Sequence, residues 1–532
     1  MEKVKTSSPF LTLLAAYCAQ AFPVLLLPIL AMISLSVDAA SKNSGVILES
    51  YSIETSFKLT HPILPANLLP ASGKELIIFG VDDFLQKWLA VFAFDEARGR
   101  YTEFLKVKLP RELARFDLTQ RDNEGLLANS DANEMQQLMF LSSKQLIRFV
   151  ADDKLNPFQV VADVNSMSLK QSPDYISDSD FIRDLNGDGL DDIIISHFDG
   201  VELFIAQTDG SYHRQLLPIK PQVRLYNDGV RYTQSKLYSA DIDLDGKPDI
   251  VKIGEGELEV YVQQVSGNFD PIAKYISVRL AISGLDWWNK RDAYGESLDQ
   301  SALVYRKVEE LKDINDDGLA DMVVRYTKSS GVLDRLNDYE IYLGENIKGQ
   351  LTFPKRPNSV IRADGTLTDF EFIDIDGDNQ DEVLVTGFDI GLTQIIGALI
   401  SGSIDQDVYL FKMDENGLFS DVANFTEVVE LSFSLTSGQS GSPVVKLMDI
   451  NGDGLQDLLL SDGDDTLQVF LGTHNERLFA HRSDTIEVKL PQDGHMVFSE
   501  DLNGDGKEDL LIKYGQQDDE LLQHLFMVIL AK

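Results

Sequence analysis

Six short stretches of the chain share one arrangement of oxygen-bearing side chains. They are DLNGDGLDD from Asp184, DIDLDGKPD from Asp241, DINDDGLAD from Asp313, DIDGDNQDE from Asp374, DINGDGLQD from Asp449 and DLNGDGKED from Asp501. Counted from the first residue, position 1 is always Asp, position 3 is Asp or Asn, and position 5 is Asp. Position 9 is Asp, or Glu at Glu382. Position 6 is Gly except at Asn379, position 2 is Leu or Ile, and position 10 is apolar. Alternate carboxylates and amides on a tight loop converge on one point, and hard oxygen donors of net negative charge suit Ca²⁺. Gly at position 6 permits the left-handed backbone that folds such a loop round an ion, and Asn also visits that region.

The side chains of positions 1, 3, 5 and 9 and the carbonyl of position 7 are therefore the expected ligands of up to six Ca²⁺ ions. In the first loop these are Asp184, Asn186, Asp188, Leu190 and Asp192, and in the second Asp241, Asp243, Asp245, Lys247 and Asp249. The third offers Asp313, Asn315, Asp317, Leu319 and Asp321, and the fourth Asp374, Asp376, Asp378, Gln380 and Glu382. Asp449, Asn451, Asp453, Leu455 and Asp457 form the fifth set, and Asp501, Asn503, Asp505, Lys507 and Asp509 the sixth.

Other calcium loops open in the same way, but the residues beyond position 9 and the spacing of the motifs exclude them. An EF-hand needs a bidentate Glu at position 12 between helices. Position 12 here is Ile195, Lys252, Val324, Val385, Leu460 or Ile512, inside short β-prone runs; dockerin-type loops fail for the same reason. Gly-rich nonapeptide repeats need a period of nine, whereas these motifs begin 57, 72, 61, 75 and 52 residues apart.

Repeats of that length point to a solenoid or propeller. After each loop strand come a second and a third, as in VELFIAQTDGSYHRQLL, LEVYVQQVSGNFDPIA and LQVFLGTHNERLFAHR. The same cadence occurs without an acidic loop at roughly 72–104 and 136–162. Two such copies and six with acidic loops predict an all-β propeller of eight four-stranded antiparallel blades, with seven as the alternative. The last unit ends early, so its outer strand is expected from the N-terminal VILESYSIETSFKLT, which would leave no long unpaired edge.

From about Ser44 to Lys532 the motif, its spacing and the strands after it resemble the FG-GAP/VCBS repeats of integrin α-chain propellers and many exported bacterial proteins. The resemblance implies calcium-binding blades that serve adhesion, carbohydrate contact or assembly. The FG and GAP peptides themselves are not evident, and the first two units lack acidic ligands.

The N-terminal segment fits export. Lys3 and Lys5 precede an uncharged stretch that reaches Asp38, and Val37 and Ala39 suit positions −3 and −1 of a signal-peptidase site. Residues 1–39 are read as a signal peptide, or as an N-terminal membrane anchor if uncleaved; Pro23 and Pro28 weaken the anchor. The expected location is the periplasm, the cell surface or the medium. Cys18, the one cysteine, lies in this segment, so the remainder has no disulfide and calcium loops would take over the stapling. Net charge is −39, which six Ca²⁺ would bring to −27. Long-range repulsion then disfavours nucleic acid and anionic membrane as partners.

Other chemistry is sparse. GLDWWNKRDAYGESLDQ, from Gly284 to Gln300, places Trp287, Trp288 and Tyr294 beside Lys290 and Arg291, a candidate stacking surface for sugar rings or a protein. Arg224 to Tyr238 mixes aromatic and basic residues on a connection. GQSGSPV, from Gly438, lacks the context of a hydrolase serine turn, and metalloprotease and phosphate-loop motifs are missing. The expected function is non-catalytic carbohydrate or protein binding at the cell envelope. A polysaccharide lyase or hydrolase, and a structural subunit of a secreted assembly, are the alternatives.

Overall fold

The computed structural model describes residues 47–532 apart from 71–72, 120–134, 169–171, 227–228, 292–295, 332–333, 363–365, 379, 389–401 and 435–438. The expected signal segment, Tyr294 and Asn379 lie outside the described residues. The fold is all-β and propeller-like, and among the described residues the only helical pieces are the single turns Trp287–Asn289, Gly494–Met496 and Leu522–His524. None is long and apolar enough to cross a membrane.

Strand pairing resolves the described residues into successive units of four main antiparallel strands, to which Leu64–Ala66 adds a short strand in the first and Ser177–Asp178 a short parallel one in the second. The first contains Lys58–Leu59, Glu75–Val81, Lys87–Asp95 and Arg100–Lys108, and the second Arg115–Leu118, Leu138–Leu141, Gln145–Phe149 and Phe158–Asp163. These are the two copies without acidic loops. The third unit is Ile182–Arg183, Asp192–Ser196, Val201–Ala206 and Tyr212–Leu217. Leu237–Ala240, Asp249–Ile253, Glu257–Tyr261 and Lys274–Ser277 make the fourth. Leu303–Lys312, Asp321–Gly331, Asp334–Tyr342 and Ser359–Ile361 make the fifth, joined through one parallel pair, Asn337 with Thr366, to the sixth. The sixth is Thr366–Ile373, Glu382–Phe388, Ser403–Phe411 and Phe425–Ser434. The seventh is Val445–Met448, Asp457–Ser461, Thr466–Phe470 and Asp484–Glu487. The eighth takes Val497–Glu500, Asp509–Lys513 and Leu525–Ala531 from the C-terminal end, and Leu48–Glu54 from the other end of the chain. That last pairing runs from Leu48 opposite Ala531 to Glu54 opposite Leu525.

The apolar run after each acidic loop is explained by burial on both faces. Ile193 and Ile195 pack with the second unit, whereas Ile194, one residue out of phase, packs with the fourth. Leu458 and Leu460 likewise face the sixth unit while Leu459 faces the eighth. Successive side chains of a strand point to opposite faces, so a sheet sandwiched between two neighbours reads as continuous hydrophobicity. Each principal hydrophobic cluster draws on two consecutive units, and one joins the eighth to the first. In it Leu511, Phe526 and Val528 meet Phe57, Leu76, Ile78 and Phe92.

The antiparallel alternation also sorts the loops. The acidic loops connect first and second strands and leave at one end of the units. Connections from second to third strand, and from one unit to the next, leave at the other end. The hairpin Gln222–Tyr226 with Gly229–Thr233 and the segment bearing Trp287 are both unit-to-unit connections. They therefore lie at the end remote from the acidic loops.

Candidate metal loops and an aromatic end

The position 1 carboxylate closes each acidic loop on its own backbone. Asp184 Oδ1 accepts from the N–H groups of Gly187 at 2.7 Å and Asp188 at 3.2 Å, and Oδ2 accepts from Gly189 at 2.8 Å. Asp449 repeats this with Gly452 and Gly454, and Asp501 with Gly504 and Gly506. The position 5 carboxylate accepts from the N–H of position 7, as Asp188 does from Leu190 at 2.9 Å. Backbone φ at position 6 is +80° to +85° in the five glycine loops (Gly189 81°, Gly246 85°, Gly318 80°, Gly454 83°, Gly506 83°). Position 4 is left-handed as well, including Leu244 at 61° and Asp316 at 55°. The sequence signal for this was the recurrent Gly at 187, 377, 452 and 504.

Position 9 has a second function that spacing alone did not reveal. Its carboxyl group is buried and accepts from the N–H of position 2. The distances are 3.1 Å from Asp192 to Leu185, 3.2 Å from Asp249 to Ile242 and 3.1 Å from Asp321 to Ile314. Glu382 to Ile375 is 2.9 Å, and Asp457 to Ile450 and Asp509 to Leu502 are both 3.1 Å. In the five Asp loops the other oxygen accepts from an N–H at the end of the third strand, for example Ala206 at 2.7 Å and Gly472 at 2.7 Å. The position 2 side chain so anchored is buried against the next unit in every case: Leu185, Ile242, Ile314, Ile375, Ile450 and Leu502. An apolar residue is required there because the loop plugs the following interface. In the first unit, which has no acidic loop, buried Glu75 still accepts from Leu68 and Leu69 at 2.7 and 3.0 Å.

The arrangement collects negative charge where little water reaches it. Burial pushes Asp192, Asp321, Asp457, Asp509 and Glu382 up to about 7, and Asp249 up to about 6. Backbone hydrogen bonds oppose the rise, and neighbouring carboxylates such as Asp188 and Asp184 add to it. An acid whose folded pKa lies above its unfolded value near 4 favours the folded state below that value. The stabilisation is lost as pH rises through about 7. The metal-free chain is thus expected to melt at a higher temperature near pH 5 than near pH 7.5. Thermal unfolding in chelator at the two pH values checks this, and the reverse order would contradict it.

The donor set fits a divalent cation most directly in the second loop. Oxygens of Asp241, Asp243 and Asp249 lie within 4.8 Å of one another, and Asp243 Oδ1 is buried with no hydrogen-bond partner. Asp374, Asp376 and Glu382 of the fourth loop converge within the same distance. In the three loops with Asn at position 3 and resolved amide contacts, Asn186, Asn315 and Asn451 donate to Asp188, Asp317 and Asp453 at 3.1–3.2 Å.

At the opposite end the two tryptophans divide. Trp287 is buried against Leu303 and Tyr305, with the Arg335 guanidinium 4.7 Å from its ring centre. Trp288 is 47% exposed and stands edge-on to Trp287 at 5.4 Å. Arg325 lies 5.4 Å from the Trp288 ring centre and is fixed by ion pairs to Asp286 and Glu309, which also hold Lys307. On the neighbouring hairpin Val223, Val230 and Tyr232 are exposed, and Tyr232 packs edge-on against Phe198 at 5.0 Å.

Ser442 does meet a histidine and an aspartate. Its hydroxyl donates to Asp493 at 2.6 Å and lies 2.9 Å from His495 Nδ1, but Asp493 lies 3.0 Å from that same nitrogen. A relay needs serine and carboxylate on different ring nitrogens, so this contact is a turn brace.

Residues 449–512, spanning the fifth and sixth loops, match the FG-GAP-like repeat. The chain carries an FG-GAP-like repeat, as its acidic loops suggested. No curated protein matches the chain. Among solved structures, an Agrocybe aegerita lectin that recognises non-reducing terminal N-acetylglucosamine is 13% identical, with a TM-score of 0.35 over 82% of each chain. The V. cholerae biofilm matrix protein Bap1 is 11% identical, with a TM-score of 0.36 over 89% of this chain and 88% of that one. Kluyveromyces lactis Hsv2 is also 11% identical, with a TM-score of 0.31 over 79% and 97%.

Proposed function

We propose that the chain is an exported, calcium-stabilised propeller whose eight units close into a ring and which binds carbohydrate at the cell envelope without catalysis. Calcium would be held by the acidic loops at one end. There the position 1 carboxylate has already curled the backbone, and position 9 ties each loop to the strand behind it. What calcium supplies is charge: it relieves the repulsion among carboxylates that burial aggravates. Its role in this reading is structural.

The ligand surface is assigned to the other end. The observation that carries the assignment is Trp288, a half-exposed indole backed by Arg325 and Trp287 at a site remote from the metal loops. A flat, braced aromatic face with polar neighbours suits a sugar ring, whose C–H groups stack while its hydroxyls bond around the rim. Long loops on a rigid scaffold are also where propellers have freedom to vary. A protein ligand is the alternative occupant.

Retention of the calcium-loaded chain on a panel of immobilised polysaccharides tests the assignment. Trp288→Ala is expected to weaken retention about tenfold or more, as for a central aromatic anchor. Leu155→Ala, an apolar change at a still more exposed residue on a third-to-fourth-strand connection at the metal-loop end, should leave it unchanged. Equal retention of wild type and Trp288→Ala would contradict the assignment.

A further inference from the structure

One acidic loop is built differently from the other five, and the difference lies in the strand behind it. The residue opposite position 9 is found by extending the pairing of the second and third strands one step. Val383 pairs with Phe411, which places Lys412 opposite Glu382. The corresponding residues in the other acidic units are Ile205, Val262, Leu343, Leu471 and Leu530. All five are aliphatic; of the six residues opposite position 9, Lys412 is the one that can reach its loop with a charge, whereas in the second loop Lys274, on the fourth strand, pairs with Asp243 alone at 3.2 Å.

It does reach it. Lys412 Nζ pairs with Asp376, with Asp378 Oδ2 at 2.9 Å and with Glu382 Oε1 at 3.5 Å. These are positions 3, 5 and 9 of the loop, three of the four carboxylates that would otherwise face an ion. Asp376 and Glu382 are buried, and the Lys412 side chain is about three-quarters buried, with 24% exposed. The same loop carries both departures from the common pattern: Asn379 where the others have Gly, and Glu382 where they have Asp. The second departure has a structural counterpart. Each position 9 Asp takes a backbone N–H from the third strand, whereas Glu382 Oε1 takes no hydrogen bond and faces the ammonium.

From this geometry we infer that Lys412 is the resident cation of the fourth loop, so that this loop closes without metal and the chain takes five calcium ions. The inference rests on the calcium reading of the other five loops. A lysine ammonium is a compact point charge with three donors, suited to a pocket of converging carboxylates. A divalent ion seated among the same oxygens would lie beside a fixed positive charge, and the ammonium would have to leave a partly buried position to admit it.

Native mass spectrometry of the full chain in excess calcium, after buffer exchange, reads the stoichiometry. Five ions are expected for the wild type and six for Lys412→Met, which keeps the length and removes the charge. Asp376→Asn should still bind five ions, whereas Asp449→Asn in the fifth loop should bind four. These two variants decide the matter even if Lys412→Met does not fold. Six ions on the wild type, or a fall to four in Asp376→Asn, would overturn the inference while leaving the calcium reading intact. No bound ion in any form would overturn the calcium reading itself.

Discussion

Chelation of calcium is expected to lower the urea midpoint of the chain sharply, by an amount comparable with the net stability of an ordinary domain. The size comes from linkage. For extracellular modules Kd is about 10⁻⁴ M, so about 1 mM calcium stabilises each independent site by roughly 1.4 kcal/mol. Five sites then contribute about 7 kcal/mol, against a typical net stability of about 5–15 kcal/mol. The effect should reach beyond the loops. Position 9 holds the N–H of position 2, and the position 2 side chain is buried in the interface with the following unit. A loop that opens to separate its carboxylates therefore draws Leu185, Ile242, Ile314, Ile450 or Leu502 out of an inter-unit core. Unfolding followed at both tryptophan and far-ultraviolet signals, with and without chelator, would measure the shift. An unchanged midpoint would show that the carboxylates hold no structural ion.

The second large effect is expected at the junction of the two ends of the chain. Leu48–Glu54 is the outer strand of the eighth unit and pairs along its whole length with Leu525–Ala531. The Lys532 N–H donates to the Ile47 carbonyl at 2.8 Å, and the Thr55 N–H donates to that of His524 at 2.7 Å. Hydrogen-bonded pairs alternate in an antiparallel ladder, so Glu49, opposite Leu530, also donates. Glu49→Pro removes that donor near the start of the strand, leaves the Leu530 carbonyl unpaired, and should cost about 1–3 kcal/mol. Glu49→Ala loses only the exposed pair with Lys532 and should cost less than about 1 kcal/mol. The proline variant should also associate, because it frees the apolar edge that runs through Phe526, Val528 and Leu530. Comparison of urea midpoints and of size-exclusion profiles checks both. Equal stability of the two variants would mean that this strand does not fasten the eighth unit.

Much of this architecture is written locally in the chain. Acidic loops at intervals of 52 to 75 residues, each running into two or three apolar residues, are enough to announce repeated sheets buried on both faces. The supply of the last outer strand from the N-terminal end was legible in a unit that stopped one strand short. What was not legible depends on cross-strand register. Nothing in DIDGDNQDE says that Lys412, thirty residues on, sits opposite Glu382. The double duty of position 9 was hidden too, because its second partner, such as Ala206 or Gly472, is fixed only once the third strand is paired. Trp287 and Trp288 are the same residue type side by side, and only packing distinguishes the buried ring from the exposed one. The Arg224 to Tyr238 stretch shows why periodicity missed its hairpin. Each of its strands has only five residues, so Val230 and Tyr232 alternating with Arg231 make too short a run to stand out.

The decisive measurement is retention of the wild-type chain on immobilised polysaccharides in calcium and in chelator, with the supernatants scanned for released oligosaccharide. Calcium-dependent retention with no released product is the expected result. Released oligosaccharide would contradict it and make the chain an enzyme, and a lack of retention on every glycan would leave Trp288 to a protein partner.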